Sequence, residues 1–166
     1  QLLSDVELSS MSTAVWAGQF TITNGGTLDA GSFRAYSSTG ASAGVNNSFT
    51  VDAGGKVITA NTAGLQQDAT TGTVSTALAN RSFHSDAVYE FQTGVMGSFV
   101  TAPAANTVRT LVVNNSAGVT LSQPLTVTNS LELTEGILIT SMVNLLTIND
   151  NATATGGSYS PLRYID

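Results

Sequence analysis

Between Leu125 and Met142 the chain reads LTVTNS, LELTEG, ILITSM: three blocks of six residues, each with apolar side chains at its first and third positions and a polar or turn-forming end. Alternation over so few residues is the signature of a short strand, because successive side chains point to opposite faces. The apolar stripe of an amphipathic helix would need spacings of three and four. We therefore read Leu125/Val127, Leu131/Leu133 and Ile137/Ile139 as an inward-facing structural ladder, flanked with looser spacing by Leu111/Val113, Val119/Leu121 and Leu146/Ile148. Three blocks make one rung of roughly 20 residues, within the range of repeats that bury their apolar face only by stacking on their neighbours. The pattern predicts an all-β fold of the β-solenoid type. A sandwich of hairpins is the alternative; it also carries short strands at about 8–12-residue intervals, though with two-residue turns and longer strands.

The first half is less regular but of the same kind. Phe20 and Ile22 in FTIT, Phe33 and Ala35 in SFRAY, Phe49 and Val51 in SFTV, and Val57 and Thr59 in KVIT mark strands. NGG at 24–26, TGASAG at 39–44 and AGG at 53–55 separate them with residues that tolerate positive φ. Of the 166 residues, 71 are Thr, Ser, Gly or Asn and only 10% are charged, a composition far from the soluble average and suited to many turns and an uncharged polar surface.

Charge removes whole classes of partner. Arg34, Lys56, Arg81, Arg109 and Arg163 are the only basic residues; they do not cluster, and the net charge is −6. A phosphate backbone needs grouped cations, so no nucleic-acid partner is expected. No apolar run approaches the length of a bilayer-spanning helix, so no membrane insertion is expected. The absence of cysteine excludes disulfides and thiolate chemistry without fixing the compartment. The N-terminal QLLSDVELSSM lacks the basic start, apolar middle and small-residue cleavage site of a signal peptide, so for an exported protein the signal is expected to be already removed or to lie upstream.

Two long stretches carry a family resemblance. SFTVDAGGKVITANTAGLQQDATTGTVSTALANRSFHSDAVYEFQTG (48–94) holds a strand, a glycine turn, a TGxV strand and an RxFxxxAxYxF stretch. VRTLVVNNSAGVTLSQPLTVTNSLELTEGILITSMVNLLTINDNATATGGSYS (108–160) holds rungs of the forms LxxNNxxGVTLS, LTVxxxLxLTxGxLxT and LTxxxxAxxxGGS. Together they resemble the repeat region of large cell-surface and secreted proteins of Bacteroidetes exported by the type IX secretion pathway. The resemblance implies a right-handed parallel β-helix, an extracellular or bacterial cell-surface location and structural or adhesive work, with no catalytic motif on the rungs. Residues 1–19 depart from the pattern and form an N-terminal segment of unassigned role, with the solenoid expected over 20–166. The closing PLRYID does not read as the polar cap a solenoid needs, so a longer repeat array is expected.

Several constellations have chemical readings, each with a plainer one beside it. His84, Asp86 and Glu90 are the one gathering of ligand-type residues; alternation puts them in phase on one strand face, as outward polar residues or as an ion site. On that strand Phe83, Tyr89 and Phe91 share the opposite face only if the backbone bends. Asp29 with Asp52, or Glu132 with Glu135, are carboxylate pairs that rung stacking brings near each other, as glycoside hydrolysis requires, but eleven scattered acids supply such pairs by chance. Thr21/Thr23, Thr126/Thr128 and Thr153/Thr155 are TxT pairs that would order water only if superposed in consecutive rungs. Among Trp16, Tyr36, Tyr89, Tyr159 and Tyr164, Trp16 and Tyr36 are the candidate carbohydrate contacts, since an exposed aromatic ring stacks on a sugar.

The sequence thus predicts a non-enzymatic stalk, fibre or adhesin repeat with no cofactor and no metal. Its partners would be surface or matrix polysaccharide, or further copies of itself end to end. A carbohydrate-binding or carbohydrate-processing β-helix is the alternative.

Overall fold

A computed structural model describes residues 1–4, 6–7, 19–36, 48–66, 71–75 and 81–156. They form sixteen strands and, among the described residues, no helix; every strand pair is parallel. Parallel neighbours cannot be joined by a tight hairpin, so each strand pairs with one a long chain excursion away. The chain makes those excursions in a fixed order.

One sheet holds β2 (Gln19–Ile22), β5 (Ser48–Val51), β8 (Arg81–His84) and β10 (Thr101–Ala102). Just beyond each of the first three, across a short turn, come β3 (Thr27–Asp29), β6 (Lys56–Thr59) and β9 (Val88–Phe91). These continue into β11 (Thr107–Asn114), β13 (Leu125–Glu135), β15 (Leu146–Ile148) and β16 (Thr153–Gly156), which complete a seven-stranded sheet. Shorter strands form two more sheets: β1 (Val6–Glu7), β4 (Ala35–Tyr36) and β7 (Val74–Ser75), then β12 (Val119–Thr120) with β14 (Leu138–Ile139).

Register carries the core. Leu28, Val57, Tyr89, Leu111, Leu131 and Ala154 are successive partners down the seven-stranded sheet. The middle four are at most 1% exposed. In the neighbouring sheet Phe20 stacks on Phe49 at 5.4 Å, Phe49 meets Phe83 at 6.2 Å, and Phe83 meets Phe99 edge-on at 5.7 Å. In the column from Leu28 to Ala154, register gives each inner strand an apolar partner above and below, while the phenylalanines beyond Phe49 meet across the register. Full burial of one such side chain stabilises by about 1.5–3 kcal/mol.

Four sequence expectations change in detail. A step of roughly 20 residues between paired parallel strands is found in the second half, where Leu111 pairs Leu131 and Leu125 pairs Leu146. In the first half the step is 29 residues from Phe20 to Phe49 and 32 from Val57 to Tyr89, because longer connections follow β4, β6 and β7. LTVTNS and LELTEG are not two strands but the single β13, which bends through register shifts opposite Val108–Thr110 and Val113–Asn114. Leu125, Val127, Leu131 and Leu133 are buried, whereas Ile137 and Ile139 are half-buried and the fully buried residue is Leu138 between them. Gly136, at φ 77°, turns the chain there and shifts the inward phase by one residue. Finally, Leu2 and Val6 pack on the core and β1 pairs β4, so part of the N-terminal segment belongs to the sheets.

Candidate functional site

Phe83, Tyr89 and Phe91 are all buried, and the turn at 85–87 supplies the bend that lets them share the inner side. The same bend separates His84 and Asp86 from Glu90, the polar residues that alternation would put together on the other face. His84 is half-buried and its Nδ1 accepts the Asp86 backbone N–H at 3.0 Å. Asp86 is exposed and lies 3.7 Å from Arg109 Nε, an exposed pair of little energetic weight. Glu90 stands apart from both.

On the outer side of the seven-stranded sheet, Glu90 is only 7% exposed because three rungs close over it. Lys56 Nζ on β6 lies 2.8 Å from Oε2. Gln92 Nε2, just past β9, and Asn114 Nδ2, at the end of β11, donate to Oε1 at 2.8 and 2.9 Å. Burial opposes the charge, but the Asn114, Lys56 and Gln92 hydrogen bonds and the Lys56 charge outweigh it and hold the carboxyl below the ordinary glutamate range. A carboxylate held by three donors, two on Oε1 and one on Oε2, ties these strands together. Among the described residues, no group of three or more His, Asp or Glu side chains is placed to hold a metal ion.

The sequence reading missed Lys56, Gln92 and Asn114 as partners of Glu90. The sequence does mark all three as outward polar residues. Their convergence depends on register steps of 32 and 22 residues on the two sides of β9, and no constant repeat length supplies both.

Of the candidate carbohydrate contacts, Tyr36 is half-buried on β4, and the Arg34 guanidinium lies 4.8 Å from its ring centroid. One face of that ring is thereby occupied. Trp16, like Tyr159 and Tyr164, falls outside the described residues. Tyr89 is 1% exposed and donates its hydroxyl to the His84 carbonyl at 2.8 Å, so it cannot reach a sugar; burial pushes its phenol well above the ordinary range.

The carboxylates and threonines are likewise distributed by register. Asp29 ends β3 and accepts the Gly31 N–H at 3.1 Å, while Asp52 lies in the turn after β5; Glu132 and Glu135 both lie on β13, Glu135 opposite Asn114. The TxT pairs are not superposed: Thr153 lies beside Ser130 and Thr155 beside Glu132, not beside Thr126 and Thr128. In-register hydroxyls occur instead in single file, as Thr21–Thr50–Ser82 and Thr107–Thr126–Thr147. Thr128 and Thr153 donate to carbonyls of the preceding rung, at Val108 and Asn129, over 3.3 and 3.4 Å.

No protein-family model, curated protein or solved structure matches this chain. No helix is long and apolar enough to cross a membrane among the described residues.

Proposed function

We propose that the chain is a right-handed parallel β-helix serving as a non-enzymatic structural or adhesive segment, a stalk, fibre or adhesin repeat, of an extracellular bacterial surface protein. The observation that carries this reading is the repeated parallel register, in which the same inward column runs Leu28, Val57, Tyr89, Leu111, Leu131 across five strands. Parallel β-strand crossovers are right-handed in about 98% of cases, which favours that hand here. Main-chain ladders along one axis resist bending, and a lightly charged, hydroxyl-rich exterior keeps such a stack soluble. The resemblance of 48–94 and 108–160 to Bacteroidetes repeats supports export by the type IX pathway. Immunolabelling of intact cells of the source organism tests it: surface signal on a polypeptide far larger than 17.0 kDa is expected, and a cytoplasmic signal overturns it.

The second reading, a carbohydrate-binding or carbohydrate-processing β-helix, rests on Tyr36 beside Arg34, an aromatic ring with a cation 4.8 Å from its centroid. A glycan panel separates the two. Binding that is lost in both Trp16→Ala and Tyr36→Ala favours the second; no binding to any glycan leaves the structural reading ahead.

A further inference from the structure

Three connections run side by side from the paired column Val95, Thr120, Ile139 to the paired column Thr107, Thr126, Thr147. Their lengths differ. The chain takes twelve positions from Val95 to Thr107, six from Thr120 to Thr126 and eight from Ile139 to Thr147. A connection that joins the same two columns in fewer residues runs closer to the core, so the middle one is the floor of a notch and its neighbours are the lips. The burial agrees: Ser122 and Gln123 on the floor are half-buried, whereas Ala102–Ala105 on one lip and Met142 and Val143 on the other are exposed. Both lips are tied to the floor. The Gln123 side-chain amide accepts the Phe99 N–H at 3.0 Å and donates to the Phe99 carbonyl at 2.6 Å, and Asn144 Nδ2 donates to the Leu121 carbonyl at 3.0 Å.

The lips are apolar and ordered. Val100 is 57% exposed on one; Met142 is 95% and Val143 76% exposed on the other, and Pro124 is exposed between them. Within the first lip the Thr101 hydroxyl donates to the Ala104 carbonyl at 2.7 Å and accepts the Thr107 N–H at 2.9 Å. Within the second the Ser141 hydroxyl accepts the Asn144 N–H at 3.1 Å, and the Ser141 N–H reaches the Asn144 carbonyl at 3.2 Å. Loops already fixed in this way lose little further freedom when something binds. Bare apolar groups gathered on them mark an interaction surface. Charge selects the occupant: none of the charged residues of the chain lies between 91 and 108, 110 and 131 or 136 and 149. A phosphate-bearing surface would need cations at the lips and a sugar an exposed ring; these segments hold no cation, and their aromatic rings, Phe91 and Phe99, are buried. A second copy needs only what is present. Two chains of net charge −6 repel, and here they touch without bringing acid against acid.

We propose that two copies of this chain pair side by side through this notch, the 141–144 turn of each entering the notch of the other, so that Met142 and Val143 rest against Pro124 and Val100 of the second copy. The surface fits itself because a protrusion and a recess lie next to each other on it. A two-fold axis passing between Pro124 and Met142, perpendicular to the direction of stacking, places each turn over the other copy's recess. The contact is isologous and closes as a dimer. It lies to one side of the sheets and leaves the ladder to continue at either end, and it rests on the strand register, not on the functional reading above.

Sedimentation velocity over a range of concentrations tests this. The natural chain is expected to run as a reversible dimer of its 17.0 kDa mass. Met142→Asp on one lip and Val100→Asp on the other are each expected to weaken the dimer at least about tenfold, because each buries an unpaired acid in the contact. Within one copy both side chains lie mostly in water, so both variants are expected to keep the melting temperature of the dilute monomer. Leu3→Asp is the control. Leu3 is 87% exposed beside the strand β3, far along the stack from the notch, and its replacement is expected to leave the dimer intact. A natural chain that stays monomeric throughout overturns the proposal, as does a dimer that survives both lip variants or one that Leu3→Asp weakens equally. Flotation of a monomeric chain with neutral phosphatidylcholine vesicles, lost in Met142→Asp, also overturns it and assigns the notch to lipid.

Discussion

Glu90 holds its charge under a lid of side chains drawn from three rungs, and that makes it sensitive to acid. Its carboxyl is held below the ordinary value of 4.5, so its contribution to stability is complete above that pH and is lost as the pH falls through the depressed folded value. Acid unfolding of the natural chain is therefore expected to include a component below pH 4.5 that Glu90→Gln lacks, read as a flatter acid limb in denaturant midpoints. At neutral pH the same variant leaves Lys56 facing an uncharged amide and is expected to cost about 1–3 kcal/mol. Leu131→Ala is the apolar counterpart. Leu131 is fully buried between Leu111 and Ala154, so its truncation is expected to cost about 2–5 kcal/mol in chemical denaturation, whereas Met142→Ser, at a bare position, should stay within about 0.5 kcal/mol. The burial of Leu131 could be read from the alternation around it. The partners of Glu90 could not, because hydrogen bonds across rungs depend on how many residues each excursion takes.

Short strands were legible as elements because apolar alternation and glycine-rich turns are local signals. Their joining was not. β13 runs unbroken through Asn129 and Ser130, where the sequence offers a turn, because two extra residues are absorbed as bulges against β11. Just beyond it, Gly136 decides which side of β14 faces inward. A Cβ added there would stand 1.8 Å from the Asn115 carbonyl oxygen, in a conformation at φ 77° that side chains rarely adopt. That oxygen belongs to backbone that cannot give way cheaply. Gly136→Ala is expected to lower the melting temperature more than Leu131→Ala does, and differential scanning calorimetry on the pair checks this. The inward phase of Ile137 and Ile139 was misjudged for the same reason: a six-residue spacing carried through a left-handed turn shifts by one.

At the scale of the whole molecule, stability follows from each rung having neighbours on both sides. The described chain has strands on both sides of β9 and β11, but only one partner for β15 and β16. Amide hydrogen exchange is therefore expected to be slowest in Leu111–Val113 and Tyr89–Phe91 and fastest in Thr153–Gly156. Uniform protection along the stack would contradict this gradient. The excursions of 29 and 32 residues in the first half have no counterpart in the regular second half, and no local pattern announces them: long connections between parallel strands cost little extra closure entropy and leave the ladder within undisturbed. The stacked parallel ladder is the claim on which the structural reading depends. Its most direct test is a map of backbone proton contacts by NMR. Amide-to-Hα contacts are predicted between Phe20 and Phe49, Val57 and Tyr89, and Leu111 and Leu131, each pair aligned in parallel. Hα-to-Hα contacts between consecutive strands, β2 with β3 or β5 with β6, are the mark of antiparallel hairpins and would contradict it.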